Sequence, residues 1–221
     1  DDIKFIIGSS VGSIIGLLIS IGYKPDEIFS ICTKIDFSKF TLNVNEKLHQ
    51  CLENEICSLD NLNNFGFDNC NGMIRLLKSV LQIKCSSDIT FNEHYKLYKK
   101  ELTIVTTDID ELKPTYFNYK LTPDEKIIDI IKLSISIPII YIMQTYKNIN
   151  YTDGGISNYY PINFYNKKTS IGICMIKTNC NSIKRENNNI LNYMLNLVNS
   201  LEIYMNSLLY ELYDEYTIFI N

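Results

Sequence analysis

The run Ile3-Lys4-Phe5-Ile6-Ile7-Gly8-Ser9-Ser10-Val11-Gly12-Ser13-Ile14-Ile15-Gly16-Leu17-Leu18-Ile19-Ser20-Ile21-Gly22 decides how the chain is read. Its first part is short and isoleucine-rich, which predicts a buried strand. Ile14, Ile15, Leu17, Leu18 and Ile21 then recur at the three- and four-residue spacing of a helix. Between the two sits G-x-S-x-G centred on Ser10, so the order is strand, tight turn, helix. In this motif glycines at 8 and 12 are expected where a side chain would strike neighbouring backbone, and the serine is held strained with its Oγ exposed. The helix that follows aims its first N–H groups, Val11 foremost, at the same spot, which suits an anionic tetrahedral intermediate.

Two other readings of the run compete. Phe5 to Tyr23 carries no charge and is about long enough to span a bilayer, with Gly8, Gly12 and Gly16 at small-xxx-small spacing. Its serines and glycines lower the hydrophobicity, however, and no basic cluster flanks it to set an orientation. A chance match is the other, since three fixed positions specify little without the strand before and the helix after.

The chain has 221 residues, 46% of them hydrophobic, enough for one domain with a full core. A net charge of −4 and scattered Lys and Arg argue against nucleic acid as a partner. The seven cysteines are irregularly spaced without C-x-x-C, and only two histidines stand beside them, so neither a metal site nor a disulfide framework is predicted. Reduced thiols and the absence of a signal peptide point to a cytoplasmic location.

Further along, Gly22 reads as a helix C-cap, and Lys24-Pro25-Asp26-Glu27 opens a helix to about Lys34. Residues 36–70 lose periodicity and are the expected place for a cap or insertion in an otherwise single domain over 1–221. Met73 to Ile83 is an amphipathic helix, and Thr90-Phe91-Asn92-Glu93 has capping-box spacing. Glu101 to Thr107 reads as a core strand and Thr115 to Leu121 as another. Thr122-Pro123-Asp124-Glu125 predicts a helix start, continuing to Ser134, where Ser134-Ile135-Ser136-Ile137-Pro138 stops it. A hairpin around Lys147-Asn148 precedes a strand ending at Asp153-Gly154-Gly155. A buried strand at Ile171 to Ile176, a long helix from Ile190 to about Tyr213 and a strand from Tyr216 to Ile220 complete the chain. Strands alternating with helices make this an α/β chain around a largely parallel sheet.

A nucleophilic serine needs a base. His49 and His94 both precede the best acid, which is not the Ser, Asp, His order of α/β-hydrolases. Asp153 fits better, because Asp-Gly-Gly allows positive φ and a close approach, so that its carboxylate can take the serine proton directly.

Taken together, Gly8-Ser9-Ser10-Val11-Gly12-Ser13 with its apolar helix, Thr106-Thr107-Asp108, Ser134-Ile135-Ser136-Ile137-Pro138 and Asp153-Gly154-Gly155 with Asn158 and Pro161 resemble the patatin-like phospholipases. The resemblance implies a three-layer α/β fold and a Ser-Asp dyad at Ser10 and Asp153. It also implies cleavage of lipid acyl esters without cofactor or metal, with phospholipid as substrate at a peripheral membrane surface. The family's oxyanion-binding glycine run precedes the elbow strand, and no such run occurs here, which predicts an N-terminally truncated relative with the Val11 N–H as the one evident oxyanion donor. Ile139 stands where the family has a small residue and is expected to narrow the pocket. A catalytically degenerate lipid- or protein-binding module remains the alternative from another class, and an esterase or peptidase using His94 a third reading.

Overall fold

A computed structural model describes residues 3–34, 66–166, 169–175 and 212–220, with isolated positions between 193 and 208. The chain divides into two compact units, Asp1–Tyr159 and Tyr160–Asn221. Most of the segment 36–70, where a cap was expected, lies outside the described residues, as do His49, Cys51, Cys57, Cys180 and most of the long helix expected from Ile190.

In the first unit, strand β1 (Phe5–Ser9) leads through Ser10 into helix α1 (Val11–Ser20). The uncharged opening run is therefore a strand and a ten-residue helix, and among the described residues no helix is long and apolar enough to cross a membrane. Helix α1 ends at Gly22 as expected: the Gly22 N–H donates to Ile19 O at 3.1 Å and the Tyr23 N–H to Leu18 O at 3.0 Å, a Schellman closure with Gly22 at φ 84°. Helix α2 (Pro25–Lys34) begins at its proline. After strand β2 (Gly66–Asp68) and helix α3 (Asn71–Leu81), helix α4 (Phe91–Tyr98) carries the predicted capping box. Its Glu93 N–H donates to Thr90 Oγ1 at 3.2 Å and its Thr90 N–H to Glu93 Oε2 at 2.9 Å.

Strand β3 (Glu101–Asp108) is buried along its whole length and is the axis of the unit. It pairs with β1 in parallel, and antiparallel with β4 (Lys113–Phe117) and β7 (Ile149–Asp153). Strand β7 in turn pairs antiparallel with β6 (Gln144–Tyr146). The α/β class holds, but this five-stranded sheet is mixed rather than largely parallel. The reason is connection length: four residues join β3 to β4, and Lys147 and Asn148 alone, at φ 49° and 64°, join β6 to β7, so both links are hairpins with no room for a crossover helix. The short strand β5 (Ile139–Tyr141) pairs instead with β2, and Ile139 enters it at φ 73°, a strained conformation for a β-branched residue.

Side chains alternate along β3. On one face α1 packs close enough that a Cβ on Gly16 would lie 3.0 Å from Ile6 Cγ2 and 3.6 Å from Leu102 Cδ1. On the other face the Thr107 hydroxyl meets Ser157 Oγ at 2.8 Å in the helical turn α6 (Gly155–Asn158). The core gathers Leu17, Leu102 and Ile104 with Ile127, Ile130 and Ile131 of helix α5 (Ile127–Ser134).

Two boundaries depart furthest from the sequence reading. Strand β4 stops at Phe117 because Asn118 turns the chain, its Oδ1 accepting from the Lys120 and Leu121 N–H groups at 2.9 and 3.0 Å. Helix α5 starts at Ile127 rather than Thr122. The carbonyls of Pro123 and Glu125 are taken by the Asn92 and Phe91 N–H groups at 3.0 and 3.1 Å, the otherwise unpaired donors at the start of α4. Ile127 N–H reaches Ile89 O at 3.1 Å, so the segment is tied as a turn against the start of α4 instead of winding into helix. Glu125 also turns its carboxylate to Tyr146 and Lys147 instead of capping the helix.

The second unit holds strand β8 (Gly172–Met175) parallel to β9 (Thr217–Ile220). Strand β8 was expected to be wholly buried; instead Gly172 and Cys174 are buried while Ile173 and Met175 are exposed, the alternation of a strand with one covered face.

Candidate active site

Strand pairing explains how two residues 143 positions apart come together. A strand has two edges. Strand β4 occupies one edge of β3 from Ile104 to Asp108. The other edge is shared: β1 pairs with Glu101 to Val105 and ends with Ser9 opposite Val105, while β7 pairs with Thr106 to Asp108 and ends with Asp153 opposite Thr106. Because β1 runs parallel and β7 antiparallel to β3, their C-terminal ends meet head to head across one residue step of about 3.3 Å. Whatever follows each strand is therefore brought to the same point. Ser10 follows one, and Asp153 closes the other.

Ser10 sits at φ 52°, ψ −129°, a conformation that costs a residue with a Cβ on the order of 1–3 kcal/mol. Its Oγ donates to Asp153 Oδ2 at 2.6 Å. The other hydroxyls of the elbow are committed or enclosed: Ser13 Oγ donates to Ser10 O at 2.6 Å, and Ser9 Oγ is buried with no hydrogen-bond partner among the described residues. Asp153 is 4% exposed, and its second oxygen, Oδ1, accepts from the Gly155 N–H at 2.7 Å. Val11 opens α1, and its N–H belongs to the first turn, where no intrahelical acceptor exists.

The glycines act through close approach. A Cβ on Gly8 would lie 2.2 Å from Gly12 O, and one on Gly154 would lie 2.2 Å from Val105 O and 2.7 Å from Ser9 Oγ. Two expectations are corrected here. Gly12 has nothing within 4 Å of such a Cβ, because the turn presses on its carbonyl and not on its Cα. Gly154 has φ −62°, so the Asp-Gly-Gly segment needs thinness rather than left-handed backbone. Gly8→Ala should therefore destabilise the fold by more than about 4 kcal/mol, the range of severe steric lesions, whereas Gly12→Ala in the first turn of α1 should be neutral or stabilise by up to about 1 kcal/mol. Thermal or denaturant unfolding of both variants checks the contrast, and comparable losses in the two would contradict it.

Ser134 and Ser136 belong to a segment that local sequence marks as a helix stop and that carries part of the family resemblance, and neither reading assigns the two hydroxyls a contact. The Ser10 N–H donates to Ser134 Oγ at 3.0 Å, and Ser134 Oγ donates to Val105 O at 2.6 Å. The Gly154 N–H reaches Ser134 O at 3.1 Å and the Asp153 N–H reaches Ser136 O at 3.0 Å. Nothing in the local pattern signalled these contacts, because each spans the fold.

His94 is not part of this constellation. It is 1% exposed, its Nε2 lies 2.7 Å from Ser20 Oγ, and burial pushes its pKa down to about 4. Cys70, also buried, has its Sγ 3.9 Å from Ser136 Oγ, and burial raises its pKa to about 12, so it stays a thiol. Among the described residues no three His, Cys, Asp or Glu side chains gather in a way that would hold a metal ion.

A sequence model of the patatin-like phospholipases matches residues 1–164. The chain belongs to that family. It is 37% identical over 171 residues to a probable lipid hydrolase of Invertebrate iridescent virus 6, covering 75% of this chain and 56% of that protein. It is 29% identical over 184 residues to an uncharacterized protein of Acanthamoeba polyphaga mimivirus, covering 82% and 57%. The chain thus spans little more than half the length of the curated relatives it matches. Among solved structures, VipD from Legionella pneumophila shares the fold with a TM-score of 0.53 at 12% identity, over 94% of this chain and 50% of that one. The patatin-like match takes in the elbow, β3, the Ser134 to Pro138 segment and Asp153-Gly154-Gly155.

Proposed function

We propose that this patatin-like chain is a lipid acyl hydrolase with Ser10 as nucleophile and Asp153 as base, acting on phospholipid at a membrane surface. The observation that carries the reading is the 2.6 Å hydrogen bond from Ser10 Oγ to a buried Asp153 oxygen, made by the one elbow hydroxyl that is neither enclosed nor bound to backbone. As Ser10 Oγ attacks the ester carbonyl, its proton passes to Asp153 Oδ2, and the carbonyl oxygen becomes an oxyanion facing the start of α1, where the Val11 N–H donates to it. Collapse expels the lysolipid alcohol, which takes the proton from Asp153, and leaves an acyl ester on Ser10. Water then gives its proton to Asp153 and attacks that ester, and the fatty acid leaves as Ser10 recovers its proton.

The test is incubation of the protein with phosphatidylcholine vesicles, reading free fatty acid by mass spectrometry. A fluorophosphonate reaction run in parallel is mapped by peptide. Fatty acid release together with an adduct on the peptide containing Ser10 is expected. Absence of both would remove the hydrolase reading in favour of a binding module.

A further inference from the structure

Ser10 is held on both sides of its strained peptide. Its carbonyl accepts from Ser13 Oγ at 2.6 Å and from the Ser13 N–H at 2.9 Å, while its own N–H is taken by Ser134 Oγ at 3.0 Å. Ser134 is fully buried, and its hydroxyl proton is spent on Val105 O, so the oxygen meets Ser10 as an acceptor in a fixed orientation. Val105 is the residue of β3 at which β1 ends. The Ser134 carbonyl takes the N–H of Gly154, next to Asp153, on the far side of the same junction. One residue at the C-terminal end of α5 therefore grips β3, the elbow and the end of β7.

We propose that Ser134 is a positioning residue that fixes the distance between Ser10 Oγ and Asp153 across the junction of β1 and β7. The proposal rests on the dyad reading above. Strand β1 and strand β7 are consecutive on one edge of β3 rather than side by side, so the ladder brings their ends together but the two strands do not pair with each other, and Ser10, one residue past the ladder, takes its orientation from whatever bridges the junction. Ser134 bridges it with both its side chain and its carbonyl. Losing the side-chain half frees the Ser10 amide to relax out of φ 52°, which swings Oγ away from the carboxylate, and an ångström-scale misplacement of a reacting group costs up to about 100-fold in rate.

The experiment compares Ser134→Ala and Ser134→Thr with Leu133→Ala, which truncates a buried core residue of the same helix and leaves the hydrogen-bonding groups of the junction in place. Fluorophosphonate labelling rates per folded molecule are recorded against pH beside unfolding temperatures. Ser134→Ala is expected to label at least about tenfold more slowly, with the acid limb of its profile moved to higher pH. A displaced Ser10 hydroxyl no longer donates to the ionised carboxylate and so no longer favours that form. Ser134→Thr, which keeps the hydroxyl, should restore both rate and limb, whereas Leu133→Ala should lose stability alone. If Ser134→Ala does not fold, Ser134→Cys, with a weaker acceptor, carries the same expectation. Profiles and rates for the Ser134 variants that superpose on those of Leu133→Ala would overturn the positioning role while leaving the dyad intact. Labelling that survives Ser10→Ala would remove the dyad and the positioning role together.

Discussion

Ser10→Ala is expected to abolish fluorophosphonate labelling, while Ser9→Ala retains most of it. Three hydroxyls lie within four residues of the elbow, and sequence gives each the same chemistry. The structure separates them. Ser9 Oγ is enclosed beneath the turn, within 2.7 Å of where a Gly154 side chain would begin, and Ser13 Oγ is spent on the Ser10 carbonyl. Only Ser10 joins partial exposure to a carboxylate partner at 2.6 Å. Stability gives a second readout. Ser10→Gly and Ser10→Ala lose the same hydroxyl, but only the glycine also removes the Cβ from a positive-φ position, so Ser10→Gly should be about 1 kcal/mol more stable than Ser10→Ala, the signature of strain kept for function. Labelling that persists in Ser10→Ala, measured by intact mass, would move the nucleophile elsewhere.

What the sequence makes legible is whatever a short stretch settles by itself. The elbow, the start of α2 at Pro25, the capping box at Thr90 and Glu93 and the two-residue hairpin at Lys147 and Asn148 all appear where local spacing places them. Each rests on contacts within a few residues. The candidate pair Ser10 and Asp153 was legible for another reason: both lie in motifs whose glycines are needed for backbone to pass close by, at Gly8 and Gly154.

Illegible features depend on distant partners. Thr122-Pro123-Asp124-Glu125 carries every local mark of a helix start, yet its carbonyls serve Phe91 and Asn92 of another helix. Tertiary hydrogen bonds outweigh a preference worth about 1 kcal/mol. The mixed character of the sheet was hidden because β7 follows a hairpin, and the direction in which it then lies along β3 has no local signal. Local sequence shows Ser134 as part of a helix stop and gives no sign of its bonds to Ser10 and Val105, which cross 124 and 29 residues.

Asp153→Asn should lower the rate of ester cleavage by at least about 100-fold, the lower range for removing a general base. Asparagine keeps the volume and an oxygen to receive the Gly155 N–H that Asp153 Oδ1 now accepts at 2.7 Å, so the turn should survive. It cannot take the Ser10 proton. Stability should change little, because a neutral amide also spares the cost of keeping a charge in a site only 4% exposed. The histidines supply the contrast. His94→Gln, which can still bond Ser20 Oγ, is expected to stay within about tenfold, smaller than the loss for any true base. The buried imidazole, with a pKa near 4, is neutral from about pH 5 upward, so its titration does not enter the rate between pH 5 and 8. His49→Ala should likewise stay within about tenfold. Rates are compared at equal folded fraction over that pH range. A loss above 100-fold in His94→Gln, with Asp153→Asn near the parent rate, would replace the carboxylate by a histidine base and undo the dyad.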